Sequence, residues 1–337
     1  LMTRQLATMI SSGLSLMRAL TVLETQTESK RLKATIIEVR QSIESGSSLS
    51  DGLARHPKIF SELYVAMLRA GETGGFLEDA LLRVAEQLEA QNKLRRQVKA
   101  AMIYPAVVSS IALCVLTAML LFIIPVFAGV FKEFNGKMPT LTADTISVSH
   151  FVRGRWYLVF GGGFGVVFGF RQWKNSKKGR PTWDRMRLKA PFKIGSVVQK
   201  ISLARWARTL SSLTTAGVPM LEAIDVTGRT AGNAVVERAM HAVRDSVQGG
   251  GMIATALGTE EIFPSLVTNM VRVGEETGAL DATLGKVADF YEEQVDVAIK
   301  GLTSILEPLM IVVVGGIVGF MVVAMYLPMF HVYDAIR

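Results

Sequence analysis

The chain has 337 residues, with 37 Lys and Arg against 29 Asp and Glu, a formal net charge of +8, and half of its residues hydrophobic. Its single cysteine, Cys114, excludes an intramolecular disulfide. The positive mean hydropathy and two long uncharged runs argue against a soluble enzyme and for a membrane protein.

No signal-peptide pattern of basic start, apolar core and small-residue cleavage site opens the chain. Leu1 is not an initiator, so a native segment ahead of residue 1 is compatible with this start. Residues 4–12 carry a helical pattern broken by Gly13, which resumes over 14–24 with Leu16, Leu20 and Leu23 on one face. The spacing of Leu32, Ile36, Val39 and Ile43 predicts a helix over 29–45, stopped by Gly46. A short helix over 50–53 precedes His56-Pro57, and a helix over 61–70 is closed by Gly71. Leu77, Leu81, Val84 and Leu88 then begin a long amphipathic helix. Residues 1–99 thus read as a first helical bundle, its apolar stripes serving as core.

Residues 100–131 are uncharged between Lys99 and Lys132 and form transmembrane helix 1, since about 20 apolar residues span the bilayer core. Residues 132–155 are a short polar loop with Pro139, too small for a folded domain. Residues 156–170 form transmembrane helix 2 between Arg155 and Arg171. Fifteen residues rise only about 22 Å, so the flanking arginines must snorkel to the interfaces; a buried soluble helix is the alternative. A second helical bundle over 171–303, with Leu280, Leu284, Val287 and Tyr291 as one stripe, leads into transmembrane helix 3 over 304–333.

Basic residues set the orientation. Lys93, Arg95, Arg96 and Lys99 precede the first span, and nine lysines and arginines from Arg171 to Lys193 come after the second. The positive-inside rule puts both bundles in the cytosol and 132–155 outside. The excess charge is then topology and contact with anionic lipid. Nucleic acid is not an expected partner, since the basic cluster, with Trp173 and Trp183, meets only weakly the pattern of basic residues interleaved with stacking aromatics.

The two bundles repeat one another. Residues 60–77 (FSELYVAMLRAGETGGFL) match 263–280 (FPSLVTNMVRVGEETGAL) at eight of eighteen positions, at a shift of 203. The same shift carries Pro105 onto Pro308 and Pro125 onto Pro328, and residues 4–20 fall on 208–224 at a shift of 204. A duplication that includes its own membrane segment points to a membrane scaffold with two similar cytosolic lobes.

The chain offers little chemistry. Gly285-Lys286 is followed by Val287, so no phosphate-binding loop forms, and His56, His150, His241 and His331 are scattered. No catalytic residue, cofactor or metal ligand is assigned. In the repeated turn, Gly71, Glu72 and Gly75 match Gly274, Glu275 and Gly278. One reading is helix termination by glycine with acidic residues favouring the next helix N-terminus. The other is an acidic surface that meets a partner or a cation. Gly161, Gly165 and Gly169, and Gly315 with Gly319, have the four-residue spacing that lets membrane helices approach closely. They serve either packing within the chain or contact with neighbouring protomers and client helices. Glu307, beside Pro308 at the cytosolic edge of the last span, either snorkels or marks a functional position. The paired prolines are expected to kink both spans alike.

The G-E-x-x-G turn running into a long helix, the proline-bearing span and the repeated lobe together resemble the type II secretion F protein family, over essentially the whole chain. The family comprises inner-membrane platform proteins of type II secretion systems and type IV pili. The resemblance implies an all-α integral membrane protein, with two homologous cytosolic helical-bundle domains and three transmembrane helices. It implies no catalysis, and partners that include a cytosolic hexameric ATPase, pilin or pseudopilin subunits and other inner-membrane assembly proteins. A homo-oligomer of two or more copies is expected. In that reading Gly71, Glu72, Gly274 and Glu275 mark the two motif turns, and the glycines and prolines of the spans shape a groove for pilin helices. A small transporter or channel is the competing reading, weakened by three crossings without a charge near mid-span. A receptor would need a sensing domain that 132–155 is too short to supply.

Overall fold

The computed structural model describes residues 2–126, 129, 140–176, 178–191 and 193–335. Every regular element among the described residues is helical, and they contain no strand. The first stretch holds α1 (Met2–Ser11), α2 (Leu16–Gln26), α3 (Lys30–Glu44), α4 (Leu49–Ala54), α5 (Glu62–Gly74) and α6 (Leu77–Ala118). A π-helical turn, Met119–Ile123, continues α6, and α7 (Thr140–Gly154), α8 (Trp156–Asn175) and α9 (Gly179–Leu188) come next. The last stretch holds α10 (Ile194–Thr215), α11 (Met220–Thr230), α12 (Ala234–Gln248), α13 (Ile253–Gly258), α14 (Ser265–Thr277) and α15 (Leu280–Ala335).

Local chemistry sets these limits. Ser29, Ser48 and Ser61 precede α3, α4 and α5, and each side chain accepts a backbone N–H of the first turn, from Leu32, Asp51 and Tyr64. Such a cap contributes about 1 kcal/mol. Helix α5 runs on through Gly71, against the sequence expectation that Gly71 ends it. It stops at Gly75, whose φ of 76° is one that side-chain-bearing residues rarely adopt. The Phe76 N–H then bonds the Gly71 carbonyl at 2.8 Å and the Gly75 N–H the Glu72 carbonyl at 3.4 Å, the paired closure of a Schellman turn.

By its contacts the chain divides into two units. The first comprises Leu1–Gln97 and Pro181–Ala298. Its first lobe buries Leu6, Leu20, Leu23, Ile36, Met67 and Leu81, and its second buries Trp206, Leu210, Val236, Val243, Leu257 and Leu284. Each such side chain contributes about 1.5–3 kcal/mol on burial. The indole N–H of Trp206 reaches the Met240 sulfur at 3.0 Å, so the largest core side chain keeps a partner for its polar atom. The helices of the lobes match in order. From α1 to α4 the first lobe stands at a shift of 204 from α10 to α13, and α5 and α6 stand at 203 from α14 and α15. The slip of one residue falls in the connection from α4 to α5, seven residues long, against six from α13 to α14.

The second unit comprises Val98–Arg180 and Ile299–Arg337. Two helices, Leu77–Val126 and Leu280–Val323, are long and apolar enough to cross a membrane. Pro105 lies inside α6 and Pro308 inside α15, and both helices carry through them. The backbone at Pro328 belongs to α15, while its side chain is outside the described residues. The expected polar loop differs from the structure: residues 140–154 are helix α7, and only Arg155 separates it from α8. Residues 132–139 of that loop, and 127, 128, 130 and 131 of the first span, are outside the described residues. Helix α8 has 20 residues rather than fifteen, because it takes in Arg171 to Asn175.

The π turn has a local cause. Proline has no N–H, and its ring crowds the carbonyl four residues earlier. Pro125 stands just beyond the turn, and the Ile124 N–H bonds the Met119 carbonyl, five residues back. The Leu120 carbonyl is thereby left without a helical donor, and the buried Ser149 hydroxyl on α7 donates to it. In apolar surroundings an orphaned carbonyl is costly, so this contact fixes α7 to the first span.

Candidate functional site

The repeated turn is built around two carboxylates. Glu72, in the last turn of α5, accepts from the backbone N–H of Leu49 at 2.6 Å and of Ser50 at 3.1 Å, and from the Ser50 hydroxyl at 2.7 Å. Those amides open α4. Glu275, in the last turn of α14, accepts from the N–H groups of Ile253 and Ala254, both at 2.7 Å, which open α13. A helix start leaves its first amides unpaired and carries partial positive charge, so a carboxylate satisfies both needs at once. The acid therefore serves the preceding short helix, whereas the sequence pointed to the next one.

Gly71 and Gly274 act through space. A Cβ at Gly71 would overlap the Cβ of Ala80 on α6, and one at Gly274 would overlap the Thr283 hydroxyl on α15 and stand 2.9 Å from the Leu280 Cα. Ala80 and Thr283 are themselves matched at the shift of 203. The glycine lets the helix before the turn lie directly on the helix after it. Gly278 ends α14 at a φ of 68°, as Gly75 ends α5. Arg4 bridges to Glu89 at 2.7 Å and Arg208 to Glu292 at 2.8 Å, tying α1 to α6 and α10 to α15 at matched positions.

Within the first unit the lobes meet along one surface, which sequence reasoning missed. Helix α5 packs on α10 and α11. Arg229 on α11 pairs with Glu62 on α5 at 2.6 Å and with Asp225 at 3.0 Å. Gln87 on α6 is buried; it donates to the Thr209 hydroxyl at 3.5 Å and accepts from the Ser212 hydroxyl at 2.9 Å. A glutamine in the apolar stripe of an amphipathic helix was the one available signal. A second missed contact is Asp184 on α9, a buried carboxylate that accepts from the Ala234 N–H at the start of α12 at 3.0 Å.

In the second unit, a groove of about 310 Å³ lies between the apolar stretches of α6 and α15, lined by Val108, Ile111, Val115, Val314, Ile317 and Met321, among others. Its lining is aliphatic, and neither Gly315 nor Gly319 belongs to it. An added Cβ at Gly161, Gly165, Gly169, Gly315 or Gly319 meets nothing within 4 Å. Among the described residues, none of these glycines lies against another part of the chain. Glu307 is exposed. Among the described residues no group of three His, Cys, Asp or Glu side chains is placed to hold a metal ion.

The family model for type II secretion system protein F matches the chain twice, over residues 2–125 and 206–328. The chain is 41% identical over 335 residues to a type IV pilus assembly protein PilC of Myxococcus xanthus, covering 99% of this chain and 80% of the relative. It is 41% identical over 331 residues to a PilC of Thermus thermophilus, covering 98% and 81%. A type II secretion system protein F of Aeromonas hydrophila is 32% identical over 341 residues, covering 100% of this chain and 87% of the relative.

Proposed function

The chain belongs to the type II secretion system protein F family, and we propose that it is the inner-membrane platform of a fibre-building machine, a type IV pilus in the first instance. The observation that carries this is that nearly the whole chain aligns with relatives named for type IV pilus assembly, at 41% identity for the two described against 32% for the Aeromonas hydrophila secretion relative. In this reading residues 1–99 and 171–303 are two homologous cytosolic bundles. Residues 100–131, 156–170 and 304–333 cross the membrane, and 132–155 lie outside. The basic residues of 93–99 and 171–193 support that orientation.

The platform works as a homo-oligomer and does no chemistry. Its cytosolic lobes take up motion from a hexameric ATPase, and its spans gather pilin or pseudopilin subunits for delivery to the fibre beside other inner-membrane assembly proteins. The aliphatic groove between α6 and α15 suits an apolar helix, which van der Waals packing holds in a bilayer. Gly161, Gly165 and Gly169, open on their own helix, suit contact with a neighbouring protomer or a client segment. The motif turns built by Glu72 and Glu275 shape the lobes that meet the motor.

A clean deletion strain tests this, scored by electron microscopy for surface fibres and by immunoblot for pilin. Loss of fibres with processed pilin held in the membrane is expected. Intact fibres with exported proteins stranded inside would move the protein to type II secretion. If neither changed, in a strain without a paralogue, the platform reading would fail.

A further inference from the structure

The two lobes bury matched residues unequally. Leu63 on α5 is 3% exposed, whereas Leu266 at the same position of α14 is 47% exposed. Gln87 on α6 is 3% exposed and its match on α15, Phe290, is 42% exposed. Ala66 and Leu94 are buried, while Asn269 and Val297 are exposed. The cause in the first lobe is the cover that α10 and α11 give to α5 and α6. Among the described residues no lobe covers α14 in the same way.

Among the described residues the complementary surface is also uncovered once. Thr209, Leu213 and Ala216 are buried on α10 and the turn after it, where the second lobe receives the first. Their matches in the first lobe are Gln5 and Ser12, which are exposed, and Met9, which is half-buried. The chain therefore contains one made joint and both halves of a second. Neither vacant half carries a charge at these positions, so bringing them together buries no unpaired ion and opposes no like charges.

We propose that the α14–α15 face of one chain docks on the α1–α2 face of a second copy, repeating between chains the contact that α5 and α6 make with α10 and α11 within one. The occupant is a second copy because the receiving surface already has an instance of its mate within this chain, on the matched lobe. The joint is head-to-tail, so it closes into a ring where the rotation permits and otherwise extends. The inference rests on the platform reading only in placing both copies in one bilayer. Helices α6 and α15 each run from their lobe into an apolar stretch, so both copies present their lobes from the same kind of membrane anchor.

The ion pair of Glu62 with Arg229 supplies the test, because its matched positions are Ser265 and Thr25. In a full-length Cys114→Ser background, the pair Thr25→Cys with Ser265→Cys is oxidised in intact membranes and run without reductant. A covalent species of two or more chains is expected, whereas the control pair Glu62→Cys with Arg229→Cys closes within one chain. Adding Leu266→Arg and Val273→Arg, both at exposed positions, is expected to lower the linked fraction about ten-fold or more, with the melting temperature of the solubilised chain unchanged. Monomer alone, while the control pair closes, overturns the joint. So does a native mass of two or more chains that the two arginines leave intact. The linkage is read without any fibre, so it fails or holds independently of the deletion phenotype.

Discussion

Glu72 and Glu275 stand 203 positions apart and hold the same groups of two helices that stand 204 apart. The carboxylate contacts survive the slip because the extra residue sits in the loop between the capped helix and the helix that carries the acid. A loop absorbs a residue at little cost, since closing a slightly longer loop adds only a fraction of a kcal/mol. The repeated turn is therefore a clasp between consecutive helices.

Removing the clasp is expected to cost stability in both lobes. Glu72→Ala leaves two amides and a hydroxyl at the start of α4 without their acceptor, and hydrogen bonds to a charged group contribute about 1.5–3 kcal/mol. Glu275→Ala, which strips two amides and no hydroxyl, is expected to cost somewhat less. Denaturant unfolding of the purified chain measures both. Equal stability to the parent would show the amides satisfied by water instead.

The glycines of the motif and of the spans are expected to respond oppositely to one methyl group. Gly71→Ala forces a contact with Ala80, which has no rotamer to move, and overpacking of this kind costs about 1–3 kcal/mol. Gly161→Ala meets open space and favours helix, so it leaves the folded chain as stable or more so. Any loss of fibres caused by Gly161→Ala then reports contact with another molecule. Thermal melting beside a piliation assay separates the two effects.

Tyr64 links the first lobe to pH. Burial pushes its phenol up to about 12 from an ordinary value near 10. The neutral phenol is the form the fold prefers, so its contribution is complete below pH 10 and is lost as the pH rises from 10 to 12. Two pH units correspond to roughly 2–3 kcal/mol. Unfolding free energy measured from pH 8 to pH 12 is expected to fall by that order in the parent and less in Tyr64→Phe.

The helical class and the two long apolar helices were legible because each is written in local spacing. The illegible features depend on contacts between separate elements. A glycine after a helical run reads as a stop, and only the position of Ala80 reveals Gly71 as a packing contact in mid-helix. An acid beside a turn reads as a cap for the next helix, and only the fold places Leu49 and Ser50 against Glu72. The serines and threonines of 140–154 read as loop, yet they form α7, whose Ser149 has a partner 29 residues away on the first span. The joint between the lobes left a single trace, a glutamine among apolar residues on α6.

Ser149 and Pro125 are expected to be energetically coupled although they do not bond to each other. Ser149→Ala removes the donor to the Leu120 carbonyl and leaves a half-buried acceptor unpaired, at a cost of about 1–3 kcal/mol. Pro125→Ala restores an N–H five residues beyond Leu120, which a π turn can direct to that carbonyl. With that donor present the hydroxyl is dispensable, so Ser149→Ala should cost less in the Pro125→Ala background than in the parent. A double-mutant cycle on the detergent-solubilised chain, unfolded with SDS, reads the difference directly. Additive costs would mean that the carbonyl has another partner and that the π turn is independent of the proline beyond it.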